Sequence, residues 1–338
     1  MKLLPSLASR SLIPALCALL FSPVAQAEPL TAQAYIVMDH QSGHVLDSLN
    51  AGKKLPIASL TKIATATVVL DWAHATQANL DQLAVVPPIP KAITTPQGLN
   101  LMPGDQASLR DLLYAALLQS DNVAAETLAA FVGHTVQIEG DHPPQVAFIA
   151  QMNALARKLG MTQTRFLNPH GLDTLERKLP YSTAGDLAKL AAYAMGNSAF
   201  RFIVSQEQRR ITIRRADGST SDYRLRNTNE LLGRDSVDGV KTGTTAKAGQ
   251  CLVLSAARPP LVSREKAPDG GTIWYPPTPR RLQIVVLGSS NRFAEASKLL
   301  KGGWNLFDQW VAQGRPESPN GSRPPEAILS QNFSSSDE

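Results

Sequence analysis

Three short polar clusters stand in chain order: Ser59-Leu60-Thr61-Lys62, Ser120-Asp121-Asn122 and Lys241-Thr242-Gly243. A serine three residues before a lysine on a helix puts both side chains on one face, and the helix N-terminus favours a developing serine alkoxide. Ser59 is therefore the candidate nucleophile. Lys62 lies in an apolar stretch from Ile57 to Trp72. Desolvation there, with a second cation nearby, lowers a lysine pKa and suits it to act as general base. Ser120 is a candidate proton relay, and Asn122 a holder of the substrate amide that also keeps Lys62 oriented. Lys241 would supply the second cation and an electrostatic seat for an anionic group. Gly243 marks a place where a strand lets substrate approach its backbone. The chemistry available to such a set is acyl transfer through a serine ester.

Each cluster is short enough to arise by chance. Read singly, they are a turn serine, a capping asparagine and a surface lysine. A second Ser-x-x-Lys spans Ser263 to Lys266, but it sits in a Pro- and Gly-rich segment with no apolar helix to perturb its lysine. Order and surroundings favour the joint reading.

The elements that must position these groups are legible in outline. Apolar runs around Gln41, Ser42 and Gly43 predict two strands joined by a tight hairpin. The stretch Ile57 to Trp72 is apolar on every side, which marks a helix buried in the middle of the fold. Ser108 caps a helix through Leu118, helical patterns follow at Val123 to Phe131 and Val146 to Leu159, and Ser182 or Thr183 caps the next, with Asp186 in its first turn. Arg209 to Arg214, Cys251 to Ala257 and Leu282 to Leu287 are strand-like, and a last helix runs from about Phe293 to Val311. Helices in the middle and strands at both ends describe an α+β fold whose terminal segments share one antiparallel sheet. Residues 259–280 read as a long hairpin loop.

Composition narrows the function. The chain has 338 residues, 43% hydrophobic and 18% charged, the proportions of a globular protein. Lys2 and Arg10 flank the apolar stretch Leu12 to Phe21, followed by Pro23 and Ala25-Gln26-Ala27, so residues 1–27 read as a secretory signal peptide. That stretch is too short for a bilayer core, which needs roughly 20 helical residues, and no later stretch is longer; no transmembrane anchor is expected. The residue before Cys17 is Leu16, not the small residue that lipoprotein processing needs. Removing the signal lowers the formal charge from +5 to about +3. With 6% aromatic residues and no basic run interleaved with them, nucleic acid is excluded as a partner. Cys251, in CLVLSAA, reads as a buried small hydrophobe. The six histidines form no spaced metal set, and no glycine-rich phosphate loop follows a strand, so no cofactor is expected. His170 reads as a turn residue near the site.

With these residues in view, the chain resembles the serine D-alanyl-D-alanine carboxypeptidase family, the low-molecular-mass penicillin-binding proteins. The likeness covers about residues 32 to 305. Besides the three clusters it includes Pro56-Ile57-Ala58, Asp111-Leu112-Leu113, Met152-Asn153-Ala154, Leu159-Gly160-Met161 and the run Phe166 to Leu172. Ser182-Thr183-Ala184, Asn227-Thr228-Asn229 and Asp238-Gly239-Val240 extend it. The resemblance implies a β-lactamase/transpeptidase-like fold, with 28–312 as the catalytic domain and 313–338 as a disordered polar tail. It implies an acyl-enzyme on Ser59, formed when peptidoglycan stem peptides lose their terminal D-alanine and formed equally by β-lactams. It also implies an oxyanion held between the amides of Ser59 and Thr244, and a substrate carboxylate near Lys241, Thr242 and Thr244.

Departures from the family pattern are informative. The second motif has Asp121 where these enzymes more often have Gly, and Thr244 stands where several have His. No Glu-x-x-Leu-Asn segment separates Asn122 from Lys241, so the deacylating carboxylate of class A β-lactamases is missing. The larger relatives add a β-rich domain and an amphipathic helix after the point where only a polar tail follows here, so a short, freely soluble periplasmic form is expected. The same residues serve DD-endopeptidases that cut D-alanyl crosslinks, and a scaffold or β-lactam sensor without turnover is a further alternative.

Overall fold

The computed structural model describes residues 29–89, 91–94, 98–136, 142–173, 179–262, 264–266, 271–274 and 277–316. Contacts divide the chain at Leu30/Thr31, and the second unit is described here. The signal peptide read in residues 1–27 and the tail beyond residue 316 lie outside the described residues.

The apolar runs around Gln41, Ser42 and Gly43 form the expected antiparallel hairpin of β1 (Ala34–Asp39) and β2 (Val45–Leu49). Asp39 closes its turn by accepting from the N–H and the hydroxyl of Ser42, at 2.7 and 2.6 Å. A 3-10 turn, Ala58–Leu60, leads into α1 (Thr61–Thr76), whose residues from Thr61 to Leu70 are all buried. An all-round apolar sequence thus produces the central helix. Short strands β3 (Leu83–Val85) and β4 (Gln106–Ser108) follow. The middle of the chain is then helical: α2 (Leu109–Leu118), α3 (Asn122–Thr135), α4 (Pro144–Lys158), α5 (Ala184–Gly196) and α6 (Ser198–Val204). Ser108 caps α2 by accepting from Asp111 N at 3.0 Å, and Thr183, rather than Ser182, caps α5 by accepting from Asp186 N at 3.0 Å.

Strands return with β5 (Gln208–Arg214), β6 (Thr220–Arg226), β7 (Val237–Thr245), β8 (Gly249–Leu261), β9 (Arg264–Lys266), β10 (Thr272–Trp274) and β11 (Thr278–Ser289). The last helix is α7 (Arg292–Ala312). The main sheet is antiparallel in the order β2-β1-β11-β8-β7, so both ends of the chain share it as expected. Its residues alternate between two layers. Ile36, Met38, Val253, Val285 and Leu287 join the core with the middle helices. Val37 and Leu282, from the other set, lie against Gly303 of α7, where a Cβ would come within 2.6 Å of Val37 Cγ1. The strand at one edge, β7, carries Lys241, Thr242 and Gly243.

Two features differ from the sequence expectation. A second sheet, β3-β4-β5-β6, escaped the reading because β3 and β4 are three residues each, too short for alternation to register. Residues 259–280, expected as loop, carry strand instead. Here β8 extends to Leu261, β11 begins at Thr278, and β9 pairs antiparallel with β10. Residues 267–270 between them lie outside the described residues.

Asp121 joins three parts of the helical layer. Its carboxylate caps α3 through Ala124 N at 2.7 Å and accepts from Leu99 N at 2.8 Å, while its own N–H donates to Ala115 O at 3.0 Å. The side chain is buried, so Asp121→Ala leaves the buried Leu99 amide unsatisfied as well as removing a cap. The expected loss is about 2–4 kcal/mol, against about 1 kcal/mol for Ser108→Ala at the end of α2. Urea denaturation of the two variants checks the order.

Candidate active site

The residues singled out from the sequence converge where the Ala58–Leu60 turn, the start of α3 and the edge strand β7 meet. Ser59 lies in the 3-10 turn rather than on α1 as expected. Ala58, with φ of 48°, turns the chain just before it. A 3-10 turn stacks residues i and i+3 over one another, so the alignment with Lys62 survives. Lys62 Nζ is fully buried and has three oxygen neighbours: Ser59 Oγ at 2.9 Å, Asn122 Oδ1 at 2.7 Å and the His170 carbonyl at 2.9 Å. Asn122 is fixed in turn by donating Nδ2–H to the Ile93 carbonyl at 3.0 Å.

Close packing of backbone brings these parts together. A Cβ on Gly171, whose φ is +83°, would fall 1.9 Å from Ala58 O and 2.6 Å from Thr61 Oγ1. A Cβ on Gly243 would fall 3.0 Å from Ser59 N and 3.1 Å from Ile57 O. The backbone that Gly243 approaches is that of the Ser59 turn. Ser120 sits between α2 and α3 with φ of 64°, a left-handed conformation costing a non-glycine residue of order 1–3 kcal/mol. Its hydroxyl is half-buried and makes no hydrogen bond among the described residues.

On β7, Lys241 Nζ donates to the Thr242 carbonyl at 2.9 Å, Thr242 Oγ1 meets Thr228 Oγ1 at 2.7 Å, and Thr244 is exposed. Arg292, the first residue of α7, donates to Gly243 O at 2.9 Å and to Thr244 Oγ1 at 2.6 Å.

This arrangement has relatives. A profile of the D-alanyl-D-alanine carboxypeptidase family (Peptidase_S11) matches residues 22–261. The chain belongs to that family. It is 34% identical over 306 residues to D-alanyl-D-alanine carboxypeptidase DacC of Escherichia coli, covering 86% of this chain and 67% of DacC. It spans about two thirds of the length of the curated relatives it matches. The Streptomyces K15 DD-transpeptidase structure superposes with a TM-score of 0.67 at 29% identity, over 82% of this chain and 98% of that one. Penicillin-binding protein D2 of Listeria monocytogenes, solved in its ampicillin-bound form, gives 0.62 at 29% identity over 82% and 99%. The α+β fold read from the sequence is that of this DD-peptidase family.

Electrostatics follow from burial. Desolvation takes the Lys62 amine down to about 7, against a smaller upward pull from the Asp121 carboxylate. Lys241 is driven well below the ordinary lysine value by burial first, then by the charges of Lys62 and Arg292. At the exposed end of β7, Thr244 and the Arg292 guanidinium stand together. His170 is pushed down to about 3 by burial and by Lys62, and is neutral. Its 3.9 Å approach to Glu126 is therefore no ion pair. Elsewhere, Cys251 is buried with its thiol pushed up to about 11, in keeping with a packing role.

Sequence reasoning missed Arg292, the His170 carbonyl and Gly171. Arg292 belongs to the last helix, 48 residues after Thr244, and carries no local motif. The Phe166 to Leu172 run was quoted only as a likeness, because a backbone acceptor leaves no mark in residue type. A lysine titrating near pH 7 in a ¹³C-lysine NMR spectrum, absent in Lys62→Met, is the expected signature of the buried amine. A Lys62 resonance that titrates only above pH 9 would contradict it.

Proposed function

We propose that this chain is a serine DD-carboxypeptidase that removes the terminal D-alanine from peptidoglycan stem peptides, with Ser59 as nucleophile and Lys62 as general base. The observation that carries the reading is the valence of Lys62. Its neighbours Asn122 Oδ1 and His170 O can only accept, so a neutral amine spends both N–H groups on them and its lone pair is left facing Ser59 Oγ. Burial, which draws the amine down to about 7, makes that neutral form available.

The Ser59 hydroxyl gives its proton to Lys62 while Oγ attacks the carbonyl between the two D-alanines. The edge position of β7 leaves a row of backbone groups uncommitted to a neighbouring strand. Gly243 lets that strand pass against the Ser59 amide. By the family resemblance the amides of Ser59 and Thr244 are the donors for the oxyanion. Collapse breaks the C–N bond, and the leaving amine takes a proton from Lys62, with Ser120 as relay. Free D-alanine departs, and water attacks the ester to restore Ser59. Asn122, whose Nδ2 keeps one N–H beyond its bond to Ile93, holds the substrate amide. Arg292 and Thr244, with Thr242, seat the terminal carboxylate, and Lys241 tunes the field behind them. Export through residues 1–27 places the enzyme in the periplasm, where its substrate lies. Among the described residues no helix is long and apolar enough to cross a membrane.

Benzylpenicillin should acylate Ser59, as an ampicillin-bound relative suggests. Intact-mass spectrometry of residues 28–338 over hours is expected to show a persistent adduct that is absent in Ser59→Ala. The acylation rate should rise about tenfold per pH unit below 7 and level off above it, because deprotonation of Lys62 supplies the base. Lys62→Arg, which keeps its charge, should acylate at least about 100-fold more slowly at every pH. Rapid hydrolysis of the drug would favour a β-lactamase, and untouched drug a scaffold.

A further inference from the structure

A cleft of about 450 Å³ opens where the end of α4, the segment after it and Tyr181 meet, and it contains none of the acyl-transfer residues. Arg157, in the last turn of α4, and Arg165 both line it, together with Asn153, Thr162 and Tyr181. Its frame is fixed by the chain itself. Asn153 accepts from Phe166 N at 3.0 Å and donates to Phe166 O at 2.9 Å, while Arg165 and Tyr181 exchange both backbone bonds, at 2.9 and 3.1 Å. The carbonyls that end α4 are taken as well, Ala156 O by Met161 N at 2.9 Å and Arg157 O by Gly160 N at 3.0 Å. Donors are what remain. The two guanidiniums are exposed, and neither has a hydrogen bond or ion pair with another described residue. Lys54 Nζ stands 5.2 Å over the Tyr181 ring, a third cation against the same wall. Among the described residues no acid lines the cleft. The acid behind its wall, Asp186, is buried and turned to Gln163 N at 2.9 Å, Thr164 Oγ1 at 2.8 Å and Lys189 Nζ at 3.7 Å.

We propose that this cleft binds a phosphate ester of a small polar molecule. Two unpaired guanidiniums on a fixed frame offer two positive charges and N–H donors from two sides. A phosphate monoester, which carries nearly two negative charges and three acceptor oxygens at neutral pH, matches both, whereas a planar carboxylate matches one guanidinium fork. The hydroxyls of Thr162 and Tyr181 add neutral donors to the same wall. The volume is that of a small-molecule site rather than of a bare ion, so the phosphate enters attached to a polar group. Binding is non-covalent and involves neither Ser59 nor Lys62, which makes the proposal independent of the DD-peptidase reading. A free phosphorylated sugar and a phospholipid headgroup offer the same chemistry, and the test separates these sources.

Glucose 6-phosphate, glucuronate and glucose, titrated calorimetrically into residues 28–338 at low salt, compare one sugar with a phosphate, a carboxylate and neither. Glucose 6-phosphate is expected to bind saturably, about tenfold or more tighter than glucuronate, and glucose not at all. Arg157→Gln and Arg165→Gln should each weaken that binding about tenfold or more. Lys301→Gln, which removes an exposed cation of α7 outside the cleft, should leave it unchanged. Both arginines are exposed, so urea midpoints equal to the wild type are expected and separate lost binding from lost folding. Sedimentation with phosphatidylglycerol vesicles is the lipid arm. Co-sedimentation that Arg165→Gln abolishes and Lys301→Gln spares would assign the phosphate to a headgroup. No saturable binding of either phosphate probe, equal affinity for glucuronate, or binding retained in both arginine variants would overturn the proposal.

Discussion

A lysine amine buried among obligate acceptors is the constraint around which the rest of the site is arranged. Lys62 has no solvent exposure, and its native pKa near 7 lies well below the 10.5 of an unburied lysine. Between those values the folded chain binds fewer protons than the unfolded one, so stability rises with pH across that window. At neutral pH and below, burying this amine costs on the order of several kcal/mol, at about 1.4 per pKa unit. The surrounding core offsets that cost. Leu60, Ile63, Ala64 and Val69 are buried in the same cluster as α2, α3 and α5. The all-round apolar character of α1 and the chemistry of Lys62 are thus one feature, because a helix with a solvated face would leave the amine charged.

The same site concentrates backbone strain, and the packing holds it in place. Ala58 and Ser120 both adopt left-handed conformations, at φ 48° and 64°, directly beside the groups they orient. Residues in such regions persist only where the surroundings over-determine them. Here Gly171 lies under the Ala58 turn at a distance that excludes a Cβ, and Gly243 passes beside it in tight contact, a Cβ falling 3.0 Å from Ser59 N. Asp121 fixes the chain just after Ser120 by anchoring Leu99 and the first turn of α3. The aspartate that departs from the family pattern in the sequence is, in the fold, a cap and a tether.

What the sequence made legible and what it hid divide along the range of the interaction involved. Local signals were readable: the Ser59 to Lys62 spacing, the caps at Ser108 and Thr183, the hairpin around Gly43 and the buried α1. The shared terminal sheet followed from the order of helical and strand patterns. Long-range and backbone features were not readable. Arg292 reaches Thr244 only because β11 and α7 return along the sheet. The acceptor from His170 is a carbonyl, identical in every residue. The second sheet joins β3 and β4 to β5 and β6 from 100 residues or more away, and the pairing of β4 with β5 is recorded at a single position, Gln106 with Arg214. The Pro- and Gly-rich composition of 259–280 suggested loop, yet its backbone pairs across β9 and β10 because the ladder of β8 and β11 already sets the register.

The two cations near β7 also divide along physical lines. Lys241 is buried and bonded to the next residue's carbonyl, whereas Arg292 is half-buried and bonded at the exposed end of the strand. A lysine readily yields its proton when desolvated and crowded by like charge, and a guanidinium does not. Close to Lys62, a lysine whose protonation is lowered by burial and by that neighbour's charge limits the build-up of like charge in the core. Further out, the guanidinium keeps a permanent charge. Along β7 the cations therefore grade from a buried lysine of adjustable protonation to a half-buried arginine of fixed charge at the exposed end.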